Sequence, residues 1–194
     1  MSQARPGDCP GPTWLNINVV GTSGSGKTHF SRRLATALGA RCIELDQLFW
    51  KAGWTESGDA EFFPRIEAAL ADGPWVLDGN YTRSTPLKWR DASTVIWLDY
   101  SFLLTLGRAI RRALRRSLTR EELWPGTGNR ESFRQLFSRD SIVWWTIRTH
   151  GSTRRKYESC MMDPQYAAIR FVRLRHPREA EALLASLPGP PSTP

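Results

Sequence analysis

The sequence is short of cysteine, of lysine and of long apolar runs, and each shortage excludes a class of protein. Three cysteines in 194 residues, far apart along the chain, form neither a disulfide framework nor a zinc-binding pattern, so we expect a cytoplasmic protein. No apolar stretch approaches the roughly 18 residues that a membrane-spanning helix needs. The first 13 residues also lack the apolar segment of a secretory signal.

Positive charge, in contrast, is plentiful, and it comes almost entirely from arginine. The formal net charge is +8, and only four of the 27 basic residues are lysines. Arginine binds phosphate oxygens in a planar, bidentate way, so the excess points to phosphate chemistry or to nucleic acid. A GC-rich genome would also enrich arginine. Only the positions of the arginines, and not their number, can therefore distinguish a binding role from a bias in genome composition.

The most informative segment is residues 21–28, which read GTSGSGKT. A strand is predicted before it, over 15–20, and a helix after it, from Lys27 to Leu38. In that context the pattern is typical of a phosphate-binding loop, whose backbone N–H groups surround a polyphosphate. Lys27 can reach the β- and γ-phosphates, and the Thr28 hydroxyl can ligate Mg²⁺. We therefore expect the loop to bind ATP with Mg²⁺ through Gly21, Thr22, Ser23, Gly24, Ser25, Gly26, Lys27 and Thr28.

Short apolar runs alternate with longer amphipathic stretches, which is typical of a parallel sheet covered by helices. Further strands are predicted over 42–45, 75–77, 94–98 and 168–174, and further helices over 60–71 and 177–187. Residues 1–13 and the proline-rich 188–194 are expected to be disordered, which leaves one α/β domain over 14–187.

Three of the predicted strands end at an aspartate: Asp46, Asp78 and Asp99. In open α/β sheets, ligands bind at the carboxyl ends of the strands, where the phosphate-binding loop also lies. Three carboxylates at that edge favour a binding site over three unrelated turn residues.

The segment 101–118 is predicted to be a helix with an apolar side and an arginine side. Its buried stripe is expected to consist of the apolar residues at helical spacing, Leu103, Leu106, Ile110 and Leu114. Six arginines fall between 108 and 120, at spacings where like charges repel. Because the helix begins just beyond a ligand-binding edge, Arg108 and Arg112 are expected to contact phosphates. The alternative is a solvated basic face.

The glycines and proline of the next segment, 121–131, predict a hinge-like loop between two helical stretches. Such a loop is expected of a lid, here about 108–150, that closes over a substrate. A cover of this kind keeps water away from the transferred phosphate.

These parts, in this order, resemble the nucleoside and nucleotide kinases of the adenylate kinase and shikimate kinase group. The loop at 21–28 carries the resemblance to the superfamily. The segments LDQLFW at 45–50 and DGNY at 78–81 make the chain most similar to a bacterial subgroup labelled DNA topology modulation or adenylate-kinase-like proteins. The resemblance covers about residues 15–175. It implies an α/β fold of three layers, with a five-stranded parallel sheet of order 2-3-1-4-5 and a helical lid.

The resemblance also implies roles on the donor side. Asp78 corresponds to the carboxylate that holds Mg²⁺ through water. Arg108 and Arg112 match the lid arginines that contact the transferred phosphate. A further arginine is expected from the helix after the lid, and Arg139 and Arg148 are both candidates.

On the acceptor side the resemblance is less complete. Asp46 falls where shikimate and gluconate kinases place an acid that faces the acceptor. Asn80 and Arg83 stand where adenylate kinases carry other residues, so they are expected to line a different acceptor pocket. Asp99 is left with a capping or turn role.

The expected function is that of an ATP-dependent phosphotransferase that moves the γ-phosphate of Mg-ATP to a small acceptor, with Lys27, Arg108 and Arg112 as catalytic residues. A hydroxyl acceptor would be oriented or deprotonated by Asp46. A nucleoside monophosphate would instead be bound by Arg83. The sequence decides neither between these acceptors nor between a monomer and a homodimer.

Two other functions stay open at this point. One is a nucleic-acid-associated ATPase, suggested by the charge and by the subgroup label. Its stacking surface would include Trp144 and Trp145 beside Arg148, and Tyr157 in the basic segment 154–157, although we favour a core position for both tryptophans. The other is an NTPase switch that has no acceptor.

Overall fold

The computed structural model describes residues 14–119, 122–124, 126–129 and 142–187. The predicted arm and tail, Arg139 and part of the predicted lid lie outside these residues. Within the described part of the chain, no helix combines the length and apolar character needed to cross a bilayer.

Five parallel strands form the central sheet: β1 (Ile17–Gly21), β2 (Arg41–Glu44), β5 (Trp75–Asp78), β6 (Thr94–Leu98) and β7 (Arg170–Leu174). Their spatial order is β2-β5-β1-β6-β7. Numbered among themselves along the chain, these strands have the order 2-3-1-4-5, so the predicted fold is confirmed. Two strands that the sequence did not predict, β3 (Trp50–Lys51) and β4 (Thr55–Glu56), form a separate antiparallel hairpin.

Helices cover both faces of the sheet: α1 (Lys27–Leu38), α2 (Leu45–Phe49), α3 (Asp59–Leu70), α4 (Thr85–Lys88), α5 (Phe102–Thr119), α6 (Ile142–Met162) and α7 (Pro177–Ala185). Successive side chains of a strand point to opposite faces, so β1 contributes to two cores. Ile17 and Val19 pack with residues of α1 and α7. Val20 belongs to the other core, with Phe62 of α3 and Tyr157 of α6.

The buried side of α5 differs from the prediction. Its buried residues are small and four apart: Thr105, Ala109, Ala113 and Ser117. The predicted apolar stripe is wrong, since Leu103 is 79% exposed and Ile110 and Leu114 are also exposed. The reason is a close approach of two backbones. A Cβ atom on Gly24 would lie 2.2 Å from the Thr105 carbonyl oxygen, so only small side chains fit between α5 and the loop.

The tryptophans at the start of α6 also differ from the prediction. Trp144 is 47% exposed and Trp145 is 60% exposed, so neither is a core residue. The residues of α6 that are buried are Thr146, His150 and Tyr157. An aromatic pair that was expected to pack inside therefore lies at the surface.

Candidate active site

The segment between β1 and α1 has the backbone that a phosphate-binding loop requires. Gly24 and Gly26 have φ angles of 81° and 88°, in the left-handed region that glycine tolerates best. Gly26 is the N-cap residue of α1, so the helix begins directly at the loop. The N-terminus of a helix carries partial positive charge and unpaired N–H groups, which suits a bound anion.

Lys27 begins α1, and its side chain folds over the loop. Its Nζ donates a hydrogen bond of 3.0 Å to the Thr22 carbonyl oxygen. Loss of solvent lowers the pKa of Lys27, while the charges of Asp78 and Asp46 act in the opposite direction. The ammonium has further N–H donors for phosphate oxygens.

Asp78 ends β5 beside the loop, as the sequence predicted. The Thr28 hydroxyl donates to its Oδ2 at 2.5 Å. Its Oδ1 is buried and has no hydrogen-bond partner among the described residues. Burial raises the pKa of Asp78, against the opposing effects of the Lys27 charge and the Thr28 hydrogen bond.

The chemistry of this pair fits a magnesium ion that is bound together with a nucleotide. Because the Thr28 hydroxyl donates its hydrogen to Asp78, its lone pairs stay available to a metal ion. In the described ranges, no three or more histidine, cysteine or acidic side chains come together in a way that could hold a metal ion by themselves. Mg²⁺ is usually held by one or two protein groups together with phosphates and water, which matches this sparse set.

Both predicted arginines of α5 reach the loop. Arg108 Nη1 donates to the Ser25 carbonyl oxygen at 3.3 Å, and Arg112 Nη2 donates to Ser23 Oγ at 2.8 Å. Residues 108 and 112 are one helical turn apart, which puts both guanidinium groups on the same side of α5. Arg148 is exposed on α6, and its participation stays a prediction.

A cavity of about 340 Å³ opens beside the loop, between α1, α5 and α7. Its lining includes His29, Tyr100, Arg108 and Pro177. Sequence reasoning missed Tyr100 and Pro177 as site residues. The available signal was their position directly after the last two strands of the sheet, because such loops line the ligand edge.

Asn80 is bound to the phosphate loop itself. Its Nδ2 donates to the Gly21 carbonyl oxygen at 2.6 Å, and the Gly21 amide donates to its Oδ1 at 3.0 Å. The Tyr157 hydroxyl donates to the same oxygen at 3.2 Å. The structure therefore places this side chain between the turn after β5 and the start of the loop. Its predicted contact with an acceptor stays a prediction.

Asp46 and Tyr81 form a pair on the acceptor side. Asp46 is exposed in α2, and its Oδ1 accepts a hydrogen bond of 2.7 Å from the Tyr81 hydroxyl. Burial and the charge of Asp46 raise the pKa of Tyr81, so its phenol stays a hydrogen donor at neutral pH.

Arg83 is held by its neighbours. Its Nε lies 3.0 Å from Asp59 Oδ1, and its Nη2 donates to the Ser57 carbonyl oxygen at 3.3 Å. The guanidinium carbon also lies 5.1 Å from the centre of the Phe49 ring and 5.7 Å from that of Phe62. An acceptor phosphate would have to compete with the Asp59 carboxylate for this arginine.

Part of the predicted lid touches the hairpin β3–β4. Asn129 is buried, donates to the Lys51 carbonyl oxygen and accepts from the Trp54 amide, both at 2.9 Å. The ring of Trp124 lies nearly parallel to that of Trp50, with 6.0 Å between centroids. This contact, defined by Trp50, Trp54, Trp124 and Asn129, is called the hairpin contact below.

Asp99 lies at the same sheet edge, and its Oδ2 forms ion pairs with two arginines. Arg173 donates to its Oδ2 through Nε at 2.8 Å and through Nη2 at 2.6 Å, and Arg154 of α6 lies 3.2 Å away. Asp99 is buried, and this cluster joins α6 to β7. Asp99 therefore connects α6 to β7 through ion pairs, and this goes beyond the capping or turn role that was expected.

Neither the protein-family models nor the curated protein sequences give a significant match to this chain. Solved structures do, among them a shikimate kinase from Acinetobacter baumannii in complex with shikimate, with 18% identity, a TM-score of 0.51 and 90% coverage of each chain. A gluconokinase from Sinorhizobium meliloti 1021 has 20% identity and a TM-score of 0.49, over 89% of this chain and 92% of its own. A deoxyadenosine kinase from M. mycoides with bound dATP has 13% identity and a TM-score of 0.49, over 87% of this chain and 96% of its own. The likeness to the shikimate kinase agrees with the strand order of the sheet, and the chain therefore shares the α/β fold of that kinase.

Proposed function

We propose that the chain is an ATP-dependent kinase that phosphorylates the hydroxyl group of a small molecule. The observation that carries the proposal is the convergence of Arg108 and Arg112 on the loop at 21–28, where the charge of the exposed Asp46 also acts on Lys27. Positive groups that meet at a phosphate loop suit phosphoryl transfer, in which negative charge spreads over the transferred group. The cavity beside the loop would take the nucleoside part of ATP.

The donor side binds and polarises the triphosphate. Backbone N–H groups of the loop and the Lys27 ammonium hold the β- and γ-phosphates. Thr28 and, through water, Asp78 would hold Mg²⁺, which neutralises phosphate charge when it is bound. Arg108 and Arg112 then stabilise the charge of the group in transit.

On the acceptor side, Asp46 receives the proton of the attacking hydroxyl. The acceptor oxygen forms a bond to the γ-phosphorus while the bond to the bridging oxygen breaks, so ADP leaves with that electron pair. Tyr81 keeps the Asp46 carboxylate oriented through its 2.7 Å hydrogen bond. A hydroxyl acceptor is favoured over a nucleoside monophosphate because Arg83 already pairs with Asp59.

The test follows ADP release from Mg-ATP against a panel of small alcohols, sugar acids, nucleosides and nucleoside monophosphates. One class of hydroxyl compound is expected to stimulate release, and Lys27→Ala is expected to reduce the stimulated rate on the order of 10³-fold. The matched control is Lys156→Ala, a lysine of α6 whose Nζ donates to the Thr82 hydroxyl. Equal ADP release by the wild type and Lys27→Ala with every acceptor would contradict the proposal.

A second candidate function, a nucleic-acid-associated ATPase, is favoured by one specific observation. Trp144 and Trp145 are exposed near the exposed Arg148, a combination that can stack bases and pair with phosphates. Tyr157 is buried and cannot join such a surface. Titration of a single-stranded oligonucleotide, followed by tryptophan fluorescence, tests this function. Absence of binding at low salt, on the order of 50 mM, would exclude it.

A further inference from the structure

Lys88, the last residue of α4, is completely buried. In the part of the chain that the structure describes, no carboxylate forms an ion pair with it. Burying a lysine without a charged partner is unfavourable, because the ammonium loses its water and gains no counter-charge. A local conflict of this kind often marks a functional position.

The contacts of Lys88 are to the turn that follows β5. Its Nζ donates to the Asn80 carbonyl oxygen at 2.6 Å and to the Gly79 carbonyl oxygen at 3.3 Å. The Gly79 oxygen also accepts from Nδ2 of Asn18, and the Trp89 indole donates to the Asn18 oxygen at 2.8 Å. Lys88 and Asn18 therefore supply the donors beneath this turn, and Trp89, next to Lys88 in the chain, holds the Asn18 side chain.

The turn connects three parts of the candidate site. Asp78 accepts from Thr28, the Asn80 amide bonds both backbone groups of Gly21, and the Tyr81 hydroxyl bonds Asp46. The turn also has little space to relax, because a Cβ atom on Gly79 would lie 2.8 Å from the Leu45 side chain. A change in the direction of its carbonyl groups would therefore move side chains on both sides of the site.

We propose that Lys88 is a positioning residue for the phosphate-binding loop, acting through the Asn80 backbone and side chain. It holds the two carbonyl groups of the turn so that the Asn80 amide clamps Gly21 at the start of the loop. Lys88 touches neither nucleotide nor acceptor. The inference rests on the proposed function in one respect, the identity of the ligand as Mg-ATP. The clamp, which is the pair of hydrogen bonds between the Asn80 amide and Gly21, would increase the affinity of the loop for that ligand.

The first test needs no nucleotide and measures hydrogen exchange at the Gly21 amide, which donates to Asn80 Oδ1. Lys88→Met removes the donors and keeps the length of the side chain. We expect exchange to be on the order of tenfold faster in Lys88→Met than in the wild type, because the clamp opens more often. Lys51→Met, at a lysine whose Nζ pairs with Glu61, is the matched control and is expected to leave the Gly21 amide unchanged.

The second test asks whether Lys88 acts through Asn80. If it does, the double variant Lys88→Met/Asn80→Ala exchanges at Gly21 no faster than Asn80→Ala alone. Additive effects, or unchanged exchange in Lys88→Met, would overturn the inference. Lys88→Leu, which also lacks a donor but is shorter, serves as a second variant if Lys88→Met does not fold, and the same two outcomes decide with it.

Calorimetry with Mg-ATP separates this inference from the proposed function. A positioning role predicts that Lys88→Met weakens Mg-ATP binding on the order of tenfold at temperatures where circular dichroism shows it folded. A purely structural role would lower the melting temperature and leave the affinity of the folded protein unchanged. A wild type that binds no Mg-ATP would contradict the proposed function, while the exchange at Gly21 would still decide the role of Lys88.

Discussion

The two halves of the candidate site differ in how completely their polar groups are satisfied. On the donor side, Asp78 Oδ1 has no hydrogen-bond partner among the described residues. Among the same residues, the one hydrogen bond of the Lys27 ammonium is to the Thr22 carbonyl oxygen of its own loop. On the acceptor side, Arg83 pairs with Asp59, and Lys51 and Arg65 both pair with Glu61. The donor half thus keeps polar groups available for an anion and a cation, while the charged groups of the acceptor half pair with one another.

This difference affects what a ligand must do in each half. A triphosphate with Mg²⁺ would satisfy donor-side groups that are buried and poorly paired, so binding there gains free energy from each new contact. An acceptor meets ion pairs that it would have to break before it could use their charges. The acceptor half is therefore expected to select a neutral hydroxyl compound through Asp46 and shape, and not a second phosphate.

The largest expected effect is on the donor side, at Arg112. Arg112→Ala removes a guanidinium that contacts Ser23 in the loop, and we expect kcat to fall on the order of 10³-fold, as for other arginines that stabilise a phosphoryl group in transit. Arg115→Ala, an exposed arginine of the same helix, is the matched control. Steady-state kinetics of ADP release measures both variants. Similar kcat values for both would mean that the contact with the loop has no catalytic role.

The next effect tests the acceptor side directly. Asp46→Asn keeps the shape of the side chain but removes the base, and kcat is expected to fall on the order of 10²-fold with a hydroxyl acceptor. Arg83→Ala is expected to change KM for that acceptor only slightly, because Arg83 is already paired. If Arg83→Ala lowers kcat/KM more than Asp46→Asn does, the acceptor carries a phosphate that Arg83 binds. The contrast between an open donor half and a self-paired acceptor half would then be wrong.

The sequence indicated the residues of the donor half because each of its motifs is local, although the contacts between those motifs join residues 50 to 89 positions apart. Eight consecutive residues define the loop, and the spacing of Arg108 and Arg112 follows from one helical turn. Even so, the buried stripe of α5 was assigned to the wrong residues. Helical spacing identifies a face, but the close approach of Gly24 to Thr105 determines which face can be buried.

The acceptor half could not be predicted in the same way, because no run of consecutive residues marks it and its residues come from separate segments of the chain. Asn80 and Gly21 are 59 residues apart, and Asn129 and Lys51 are 78 apart. A hairpin of two-residue strands also gives almost no periodic signal. The position of Asp46 after a predicted strand marked it as a site candidate, but its role and that of Arg83 on the acceptor side came only from the resemblance to known kinases. The ion pair of Arg83 with Asp59 had no signal in the sequence.

A smaller effect is expected at the hairpin contact, which belongs to the acceptor half. Asn129→Ala removes two hydrogen bonds to the backbone of β3–β4, so the hairpin should open more often. We expect KM for the acceptor to rise severalfold while Mg-ATP binding stays unchanged. Faster hydrogen exchange over residues 50–56 measures the opening, and Asn129→Asp, which keeps the acceptor for the Trp54 amide, should have a weaker effect. A change in Mg-ATP affinity would show that the two halves are not independent.

The smallest effect concerns Lys88, beneath the turn that joins the halves, and it appears as a pH dependence of stability. Burial, together with the charge of Lys156, lowers the pKa of Lys88 well below 10.5, and Cys160 opposes this shift weakly. Between the lowered pKa and 10.5 the unfolded chain binds more protons at this position than the folded protein does. The free energy of unfolding therefore gains a contribution that rises with pH across that window.

Lys88→Met lacks this contribution, so the difference in unfolding free energy between wild type and variant is expected to shift in favour of the wild type as pH rises. The slope is at most about 1.4 kcal/mol per pH unit for one proton. Urea unfolding of both proteins at several pH values between about 7 and 10 measures it. Parallel curves would mean that Lys88 keeps its ordinary pKa in the fold. In that case something besides the Gly79 and Asn80 carbonyl groups would stabilise the Lys88 ammonium. The turn after β5 would then depend less on Lys88 than these two hydrogen bonds indicate.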